Sequence, residues 1–210
     1  MSASIEEPSG ARAGLRAPHA RIVTDRLLLR CWEPRDAPSL RAAIAGNLEH
    51  LRAWMAWAME EPSTLAVIEA RVERFREAFL AEHEFPFAIL DRDERELLGG
   101  IELSRRIGGG GMELGYWLRA DRTRRGYATE AADALAREAF QHCRAQRVEI
   151  RCDPANTPSA AIAHRLGFRH VITLEANATT PDGRPRDTMV WEATLARYRP
   201  LRRPDAIHET

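Results

Sequence analysis

Apolar residues recur along the chain with two different periods, and the period changes after His83. Before that point, an apolar run at residues 26–32 predicts a first strand. Apolar residues spaced by three and four then predict helices over residues 40–58, with a break near Gly46, and over residues 65–80. The first part of the chain is therefore expected to be one strand followed by two or three helices.

Short apolar runs separated by turn residues come next, and they predict a meander of three strands. The strands are expected at residues 85–90, 97–104 and 112–118. A run of four glycines at residues 108–111 precedes the third strand. This run is interpreted as a flexible turn rather than a phosphate-binding loop, because no helix start follows it.

The remaining pattern alternates between helix and strand. Small apolar residues on one face predict a helix over residues 126–142, and strict alternation predicts a strand at residues 147–153. Asn156 and Pro158 supply the start of a short helix. Two further strands are expected at residues 168–174 and 188–195, around a polar turn at residues 177–186.

The order of these elements predicts a mixed α/β fold with a sheet of about seven strands flanked by helices. One domain is expected at residues 21–197. A disordered tail is expected at residues 1–20, which are small and polar, and a flexible tail at residues 198–210, which are rich in arginine and proline. The sequence leaves open whether the protein is a monomer or a homodimer.

The composition limits the partners and the cellular location that can be expected. The formal net charge is zero, which argues against nucleic acid or an anionic membrane as the main partner. No apolar run approaches a membrane span, residues 1–18 lack the apolar centre of a signal peptide, and three dispersed cysteines do not suggest a disulfide framework. A cytoplasmic location is the resulting expectation.

The sequence contains no lysine, which excludes a Walker-type phosphate loop and lysine Schiff-base chemistry. His142, His164 and His170 lack the usual spacing of metal ligands, so no metal is expected.

The segment RTRRGYATEA at residues 122–131 joins the predicted strand at 112–118 to the predicted helix at 126–142. The first amides of a helix have no partner inside it, and the helix dipole places partial positive charge there. Gly126 allows close approach of a ligand, and the neighbouring arginines suit phosphate. The segment is therefore predicted to bind a pyrophosphate.

This segment stands in a series of motifs that includes TDRLLLR, ELGYW, GYATEA, NTPS and RLGF, in that order. Together they resemble the GNAT superfamily of acetyl-CoA-dependent N-acetyltransferases, and most of all its RimJ/RimL-type branch. The resemblance covers residues 21–197. It departs from the superfamily pattern at Thr123, where glutamine or arginine is usual, and at Arg124, where a further glycine is common.

The resemblance implies a twisted mixed sheet and acetyl-CoA as co-substrate. It implies that backbone amides of the 116–119 segment hold the pantetheine together with Asn156, and that Ser159 assists the departing thiolate. Trp54 and Trp57 match residues of the branch's acceptor groove. The predicted cofactor-binding residues are Trp117, Leu118, Arg119, Arg124, Arg125, Gly126, Tyr127, Ala128, Thr129, Asn156 and Ser159.

The implied reaction is direct attack of an amine on the thioester. Glu113 is the first choice of general base and Glu102 the second, either acting through water. The alternatives for these residues are structural: Glu113 as a surface charge, Asn156 and Ser159 as helix-start residues, and the tryptophans as core.

A protein or peptide α-amine is the expected acceptor. The alternatives are acetylation of a small amine, such as an antibiotic, a polyamine or an amino acid, and a non-catalytic acyl-CoA-binding module.

Overall fold

The computed structural model describes residues 14–180 and 183–201, and its centre is an eight-stranded sheet. The strands are β1 (Arg21–Val23), β2 (Leu27–Cys31), β3 (Glu84–Asp91), β4 (Leu97–Ser104), β5 (Gly111–Leu118), β6 (Arg147–Cys152), β7 (Arg169–Thr179) and β8 (Pro185–Thr194). Their order across the sheet is β1-β2-β3-β4-β5-β6-β8-β7. All neighbours are antiparallel except β5 and β6, which are parallel.

Five α-helices accompany the sheet in the described residues. They are α1 (Ala37–Ala45), α2 (Leu48–Arg52), α3 (Leu65–Leu80), α4 (Tyr127–Gln141) and α5 (Thr157–Arg165). Helix α4 lies against β2, β4, β5 and β6, whereas α3 lies against β2 and β3. The mixed α/β class predicted from the sequence is confirmed.

Strand β2 shows how the sheet separates two apolar clusters. Leu27 and Leu29 pack in the cluster that includes α4, whereas Leu28 packs in the cluster that includes α1 and α3. Successive side chains of a strand point to opposite faces of a sheet, so one strand serves both clusters. All three leucines are fully buried.

The eighth strand, β1, was not predicted. It contains only three residues, Arg21–Val23, and pairs with β2 alone. A segment of this length is too short for its alternation to be distinguished from that of a loop.

The expected helix through residues 48–58 is wrong in its second half. Helix α2 ends at Arg52, and a 3₁₀ helix follows at Ala56–Glu60. The Arg52 guanidinium donates a hydrogen bond to the carbonyl of Ala58 at 3.1 Å, which fixes the bend between them. Two short helical turns packed on one core give the same spacing of apolar residues as one longer helix.

The hairpin of β7 and β8 is longer than expected, because the predicted polar turn at residues 177–186 is partly strand. Strand β7 is the last strand of the sheet, and most of its residues are exposed. A strand with little buried surface needs no apolar alternation, so its sequence resembles a loop.

Both chain ends pack against α4 where they are described. The backbone amide of Arg16 donates to the carbonyl of Cys143 at 3.0 Å. Tyr198, the first residue of the expected flexible tail, is buried, and its hydroxyl donates to the Asp133 carboxylate at 2.6 Å. The remainder of the two expected tails, residues 1–13 and 202–210, lies outside the described residues, and the predicted domain limits stay a prediction.

In the described part of the chain, no helix combines the length and the apolar character that crossing a membrane requires.

Candidate active site

The sheet opens between its two parallel strands. Pairing of β5 with β6 runs over four residue pairs, from Gly111 with Arg147 to Leu114 with Ile150. Strand β5 continues to Leu118, and on its other side it stays paired with β4 throughout. The edge of β5 beyond Leu114 that faces away from β4 therefore has no strand beside it in the described residues.

A cavity of about 1190 Å³ lies at this opening. Tyr116 and Trp117 both line it, although adjacent residues of a strand point to opposite faces of the sheet. The cavity therefore passes from one face of the sheet to the other. It is bounded on one side by α4 and α5, and on the other by residues between α1 and α3.

Helix α4 begins in this cavity. Its N-cap residue, Gly126, has a left-handed backbone with φ of 81°, and the first hydrogen bond of the helix runs from the Glu130 amide to the Gly126 carbonyl at 3.0 Å. Within the described residues, no group accepts a hydrogen bond from the amides of Tyr127, Ala128 and Thr129. All three residues and Gly126 line the cavity. This end of α4 can therefore bind an anion.

Glu130 fixes the start of α4. Its side chain is fully buried, and its carboxylate accepts hydrogen bonds from the Thr24 hydroxyl at 2.7 Å and from the Arg26 Nε at 2.7 Å. Arg26 also donates to the carbonyl of Arg125 and lies over the ring of Tyr127, 4.7 Å from its centroid. Thr24 and Arg26, between β1 and β2, thus hold the turn before α4 in place. This role was not predicted from the sequence.

The arginines of the predicted cradle separate in the structure. Arg124 lines the cavity, and its left-handed backbone with φ of 58° resembles the turns in which proteins bind anions. Arg125 is exposed and does not line the cavity. Its backbone carbonyl is tied to Arg26.

Arg119 and Arg122 point elsewhere. Both donate to the carboxylate of Glu96, and both contact Asp121. The hydrogen bond from Arg122 lowers the pKa of Glu96, which keeps this cluster ionised. These contacts argue against the side chain of Arg119 as a cofactor ligand.

Ser159 and Tyr116 form a pair inside the cavity. Their hydroxyl oxygens are 3.0 Å apart. Burial raises the pKa of Tyr116 above its ordinary value, so the phenol stays protonated near neutral pH and can donate to the serine. Ser159 lies in the first turn of α5, where its amide donates to the side chain of Asn156 at 3.2 Å. Asn156 is therefore a helix cap, and it also lines the cavity.

The two candidate bases have different surroundings. Glu102 lines the cavity, and burial raises its pKa above the ordinary value despite an ion pair with Arg106 at 2.9 Å. Glu113 does not line the cavity, and its carboxylate lies 3.3 Å from Arg106 and 3.6 Å from Arg151. This position argues against Glu113, the first choice from the sequence, and favours Glu102.

The two predicted groove tryptophans both line the cavity, on the side of the sheet that carries Trp117. Trp57 meets Trp117 edge to face, with ring centroids 6.1 Å apart, and the Arg71 guanidinium lies 5.7 Å from the Trp57 ring. Trp54 follows α2 and is half-buried. Neither tryptophan is completely buried.

The chain carries the sequence profile of the Acetyltransferase (GNAT) domain over residues 26–169. It belongs to the GNAT acetyltransferase family. The resemblance inferred from GYATEA and NTPS is thereby confirmed, and so is the class of enzyme, an acyltransferase.

Relatives of this GNAT domain include ribosomal-protein acetyltransferases. The [ribosomal protein uS5]-alanine N-acetyltransferase of Escherichia coli is 28% identical over 187 residues, which are 80% of this chain and 95% of the relative. RimJ of Mycobacterium smegmatis, solved in complex with CoA-disulfide, has a TM-score of 0.71 and 25% identity, covering 81% of this chain and 82% of that one.

The fold is also that of the microcin C7 self-immunity acetyltransferase MccE, solved in complex with acetyl-CoA and AMP. The TM-score is 0.76 at 21% identity, covering 82% of this chain and 94% of that one.

The structure brings most of the residues predicted for this GNAT domain to one cavity. They are Trp54, Trp57, Trp117, Leu118, Arg124, Gly126, Tyr127, Ala128, Thr129, Asn156 and Ser159. Glu113, Arg119 and Arg125 are not among its lining residues. Tyr116 and Glu130 were missed. Tyr116 stands inside the ELGYW motif, so its position next to a cavity could have been suspected, whereas the partners of Glu130 lie more than a hundred residues away in sequence.

Proposed function

We propose that this GNAT enzyme transfers the acetyl group of acetyl-CoA to the α-amine of a protein or peptide N-terminus by direct attack. The observation that carries the proposal is the open start of α4 inside a cavity that crosses the sheet. Such a cavity allows a donor and an acceptor to meet from opposite faces. The relatedness to the uS5-alanine enzyme supports a protein N-terminus as the acceptor.

The pyrophosphate of acetyl-CoA would bind at the amides of Tyr127, Ala128 and Thr129. These donors are already oriented by the helix, so binding costs little reorganisation. The side chain of Arg124 adds a full charge at the same place.

The pantetheine arm would lie along the edge of β5 that faces away from β4, which beyond Leu114 has no neighbouring strand in the described residues. Amide groups of an extended ligand pair with such an edge as an added strand does. The amide side chain of Asn156 lines the same space.

Ser159 would stabilise the departing thiolate. A free thiol has a pKa of about 8.5, so a hydrogen bond from a hydroxyl is sufficient help. In this proposal the Tyr116 hydroxyl, 3.0 Å away, donates to the serine oxygen, and the serine proton points to the sulfur. Tyr116 is therefore a positioning residue in this proposal.

Glu102 would accept the proton of the amine through a water molecule. An α-amine has a pKa of about 8, compared with about 10.4 for a lysine side chain, so little energy is required to deprotonate it at neutral pH. Burial raises the pKa of Glu102. This pKa is therefore closer to the pKa of the amine, which makes the carboxylate a better base.

Trp54 and Trp57 would form the walls of the acceptor groove on the same face of the sheet as Trp117. Their aromatic faces can hold a peptide backbone or a small side chain. Arg71 and Arg74 also line this side of the cavity.

The test is acetyl-CoA turnover over matched acceptors. Peptides with a free α-amine and no lysine would be compared with the same peptides blocked at the N-terminus and carrying one lysine, and with a panel of small amines. Turnover only on the free α-amine supports the proposal. Turnover only on small amines would overturn it in favour of small-amine acetylation, and binding without turnover would indicate a non-catalytic module.

A further inference from the structure

A second cluster of polar side chains lies at the far end of α4. His19, Glu138 and His142 each offer one ligand atom there, and these atoms all lie within 4.8 Å of one another. In the described part of the chain this is the one group of three or more histidine, cysteine, aspartate or glutamate residues arranged in this way. It contributes nothing to the cavity at the start of the helix.

Helix geometry explains two of the three positions. Glu138 and His142 are four residues apart, so they lie on the same side of the last turn of α4. In the sequence the pair reads Glu-x-x-x-His, which differs from the more familiar spacings of histidine ligands. His142 is the C-cap residue of the helix.

His19 is brought to this pair by the chain before β1. The amide of Arg16 binds the carbonyl of Cys143, and the amide of His19 donates to Glu138 Oε1 at 2.8 Å. Nδ1 of His19 lies 2.8 Å from the same oxygen, and its ring centroid is 3.9 Å from that of His142. Two imidazoles and a carboxylate from different parts of the chain therefore converge at one point.

The surroundings favour a cation. The side chain of Glu138 is only 2% exposed, and an ionised carboxylate at such a position is stabilised by a positive charge. The end of α4 adds the partial negative charge of its last carbonyl groups. Two imidazole nitrogens and one carboxylate oxygen suit Zn²⁺, whereas Mg²⁺ and Ca²⁺ prefer oxygen ligands throughout.

We propose that His19, Glu138 and His142 bind one Zn²⁺, with a water molecule as the fourth ligand. The ion would replace the hydrogen bond between Nδ1 of His19 and Glu138 and would link the segment before β1 to α4. The role is structural, because the site is separated from the start of α4 by a helix of 15 residues, roughly 22 Å in length. The proposal is independent of the acceptor specificity of the enzyme.

The test uses the full chain freed of metal with a chelator and then titrated with Zn²⁺. We expect saturation at one equivalent and a rise of about 5 °C in Tm. His142→Ala should abolish both effects. His164→Ala is the matched control, because His164 also lies in the last turn of a helix but belongs to no such cluster among the described residues. It should bind and respond like the unaltered chain.

A Co²⁺ titration of the unaltered chain keeps the test decisive if His142→Ala does not fold. A four-coordinate Co²⁺ site should give strong visible d–d absorption that one equivalent of Zn²⁺ displaces. Absence of this absorption, or equal binding and equal Tm rise in His142→Ala, would overturn the proposal.

Discussion

Helix α4 has one end in the cavity and the other end covered by the two described chain ends, and its polar groups are satisfied differently at each. At the start, the amides of Tyr127, Ala128 and Thr129 have no acceptor among the described residues. In the middle of the helix, Asp133 is fully buried, and its Oδ1 accepts from the Tyr198 hydroxyl at 2.6 Å and the Leu201 amide at 3.0 Å.

Different parts of α4 therefore contribute to ligand binding and to stability. Buried polar groups that are satisfied inside the chain stabilise the fold, whereas amides left without a protein partner are available to a ligand. The buried Glu130 is the connection between the two, because it fixes the open end through Arg26 and Thr24. Substitutions at the open end should therefore change function, and those at the buried contacts between α4 and the C-terminal segment should change stability.

The largest effect is expected from Gly126→Val. A valine at φ of 81° is strained, and its Cβ would lie 3.3 Å from the guanidinium of Arg26, which holds the turn before the free amides. We expect its branched side chain to obstruct a phosphate in the cavity that Gly126 lines. We expect acetyl-CoA affinity, measured by calorimetry, to fall by about 100-fold or more while the chain stays folded. Gly108→Val is the control, because Gly108 has φ of 60° and nothing within 4 Å of an added Cβ. Equal affinities in the two variants would refute the anion site.

Ser159→Ala should lower kcat by about 100-fold, at the low end of the range for general acids, because a thiolate departs without much help. The dissociation constant of acetyl-CoA should change little. Tyr116→Phe should lower kcat less, since it removes only the group that positions the serine. An equal loss of affinity and turnover in Ser159→Ala would make the serine a binding residue.

The ionisation of Glu102 should determine how kcat/KM falls at acidic pH. The carboxyl must be ionised to accept a proton, so activity should fall as pH drops through its raised pKa, above the ordinary value of 4.5. Glu102→Gln should lower kcat/KM by about tenfold or more and remove this dependence on pH. Glu113→Gln should keep it, because that carboxylate is outside the cavity lining. If only Glu113→Gln altered the pH profile, Glu113 would be the general base, as first expected from the sequence.

The smallest effect on function is expected from Tyr198→Phe, which changes a contact to Asp133 in the middle of α4. It removes a hydrogen bond to a buried carboxylate and should lower the free energy of unfolding by about 1–3 kcal/mol. Acetyl-CoA affinity should be unchanged. Urea denaturation and calorimetry on the same variant check both. A fall in affinity comparable to that of Gly126→Val would remove the distinction between the open end and these buried contacts.

Local patterns in the sequence carried much of this structure. The predicted helix over residues 65–80 and strand over residues 97–104 coincide with α3 and β4. The predicted helix over residues 126–142 agrees with α4 and its N-cap Gly126. These features depend on caps and periodicity over a few neighbouring residues.

The environment of several predicted site residues is set by distant parts of the chain. Glu113 and Glu102 lie on neighbouring strands and both contact Arg106. They differ because Glu102 lines the cavity, whereas Glu113 does not and also contacts Arg151. Arg119 and Arg125 belong to an arginine-rich stretch in which side-chain direction follows from partners such as Glu96 and Arg26. Contacts with such distant partners leave no periodic pattern in the sequence.

The four residue pairs between β5 and β6 make the sheet two blocks rather than one. Strands β1–β5 form one block and β6–β8 the other, and α4 lies against strands of both. An extended ligand bound along β5 would therefore link the two blocks. When it binds, amide protection from hydrogen exchange should rise on both sides of the junction between β5 and β6.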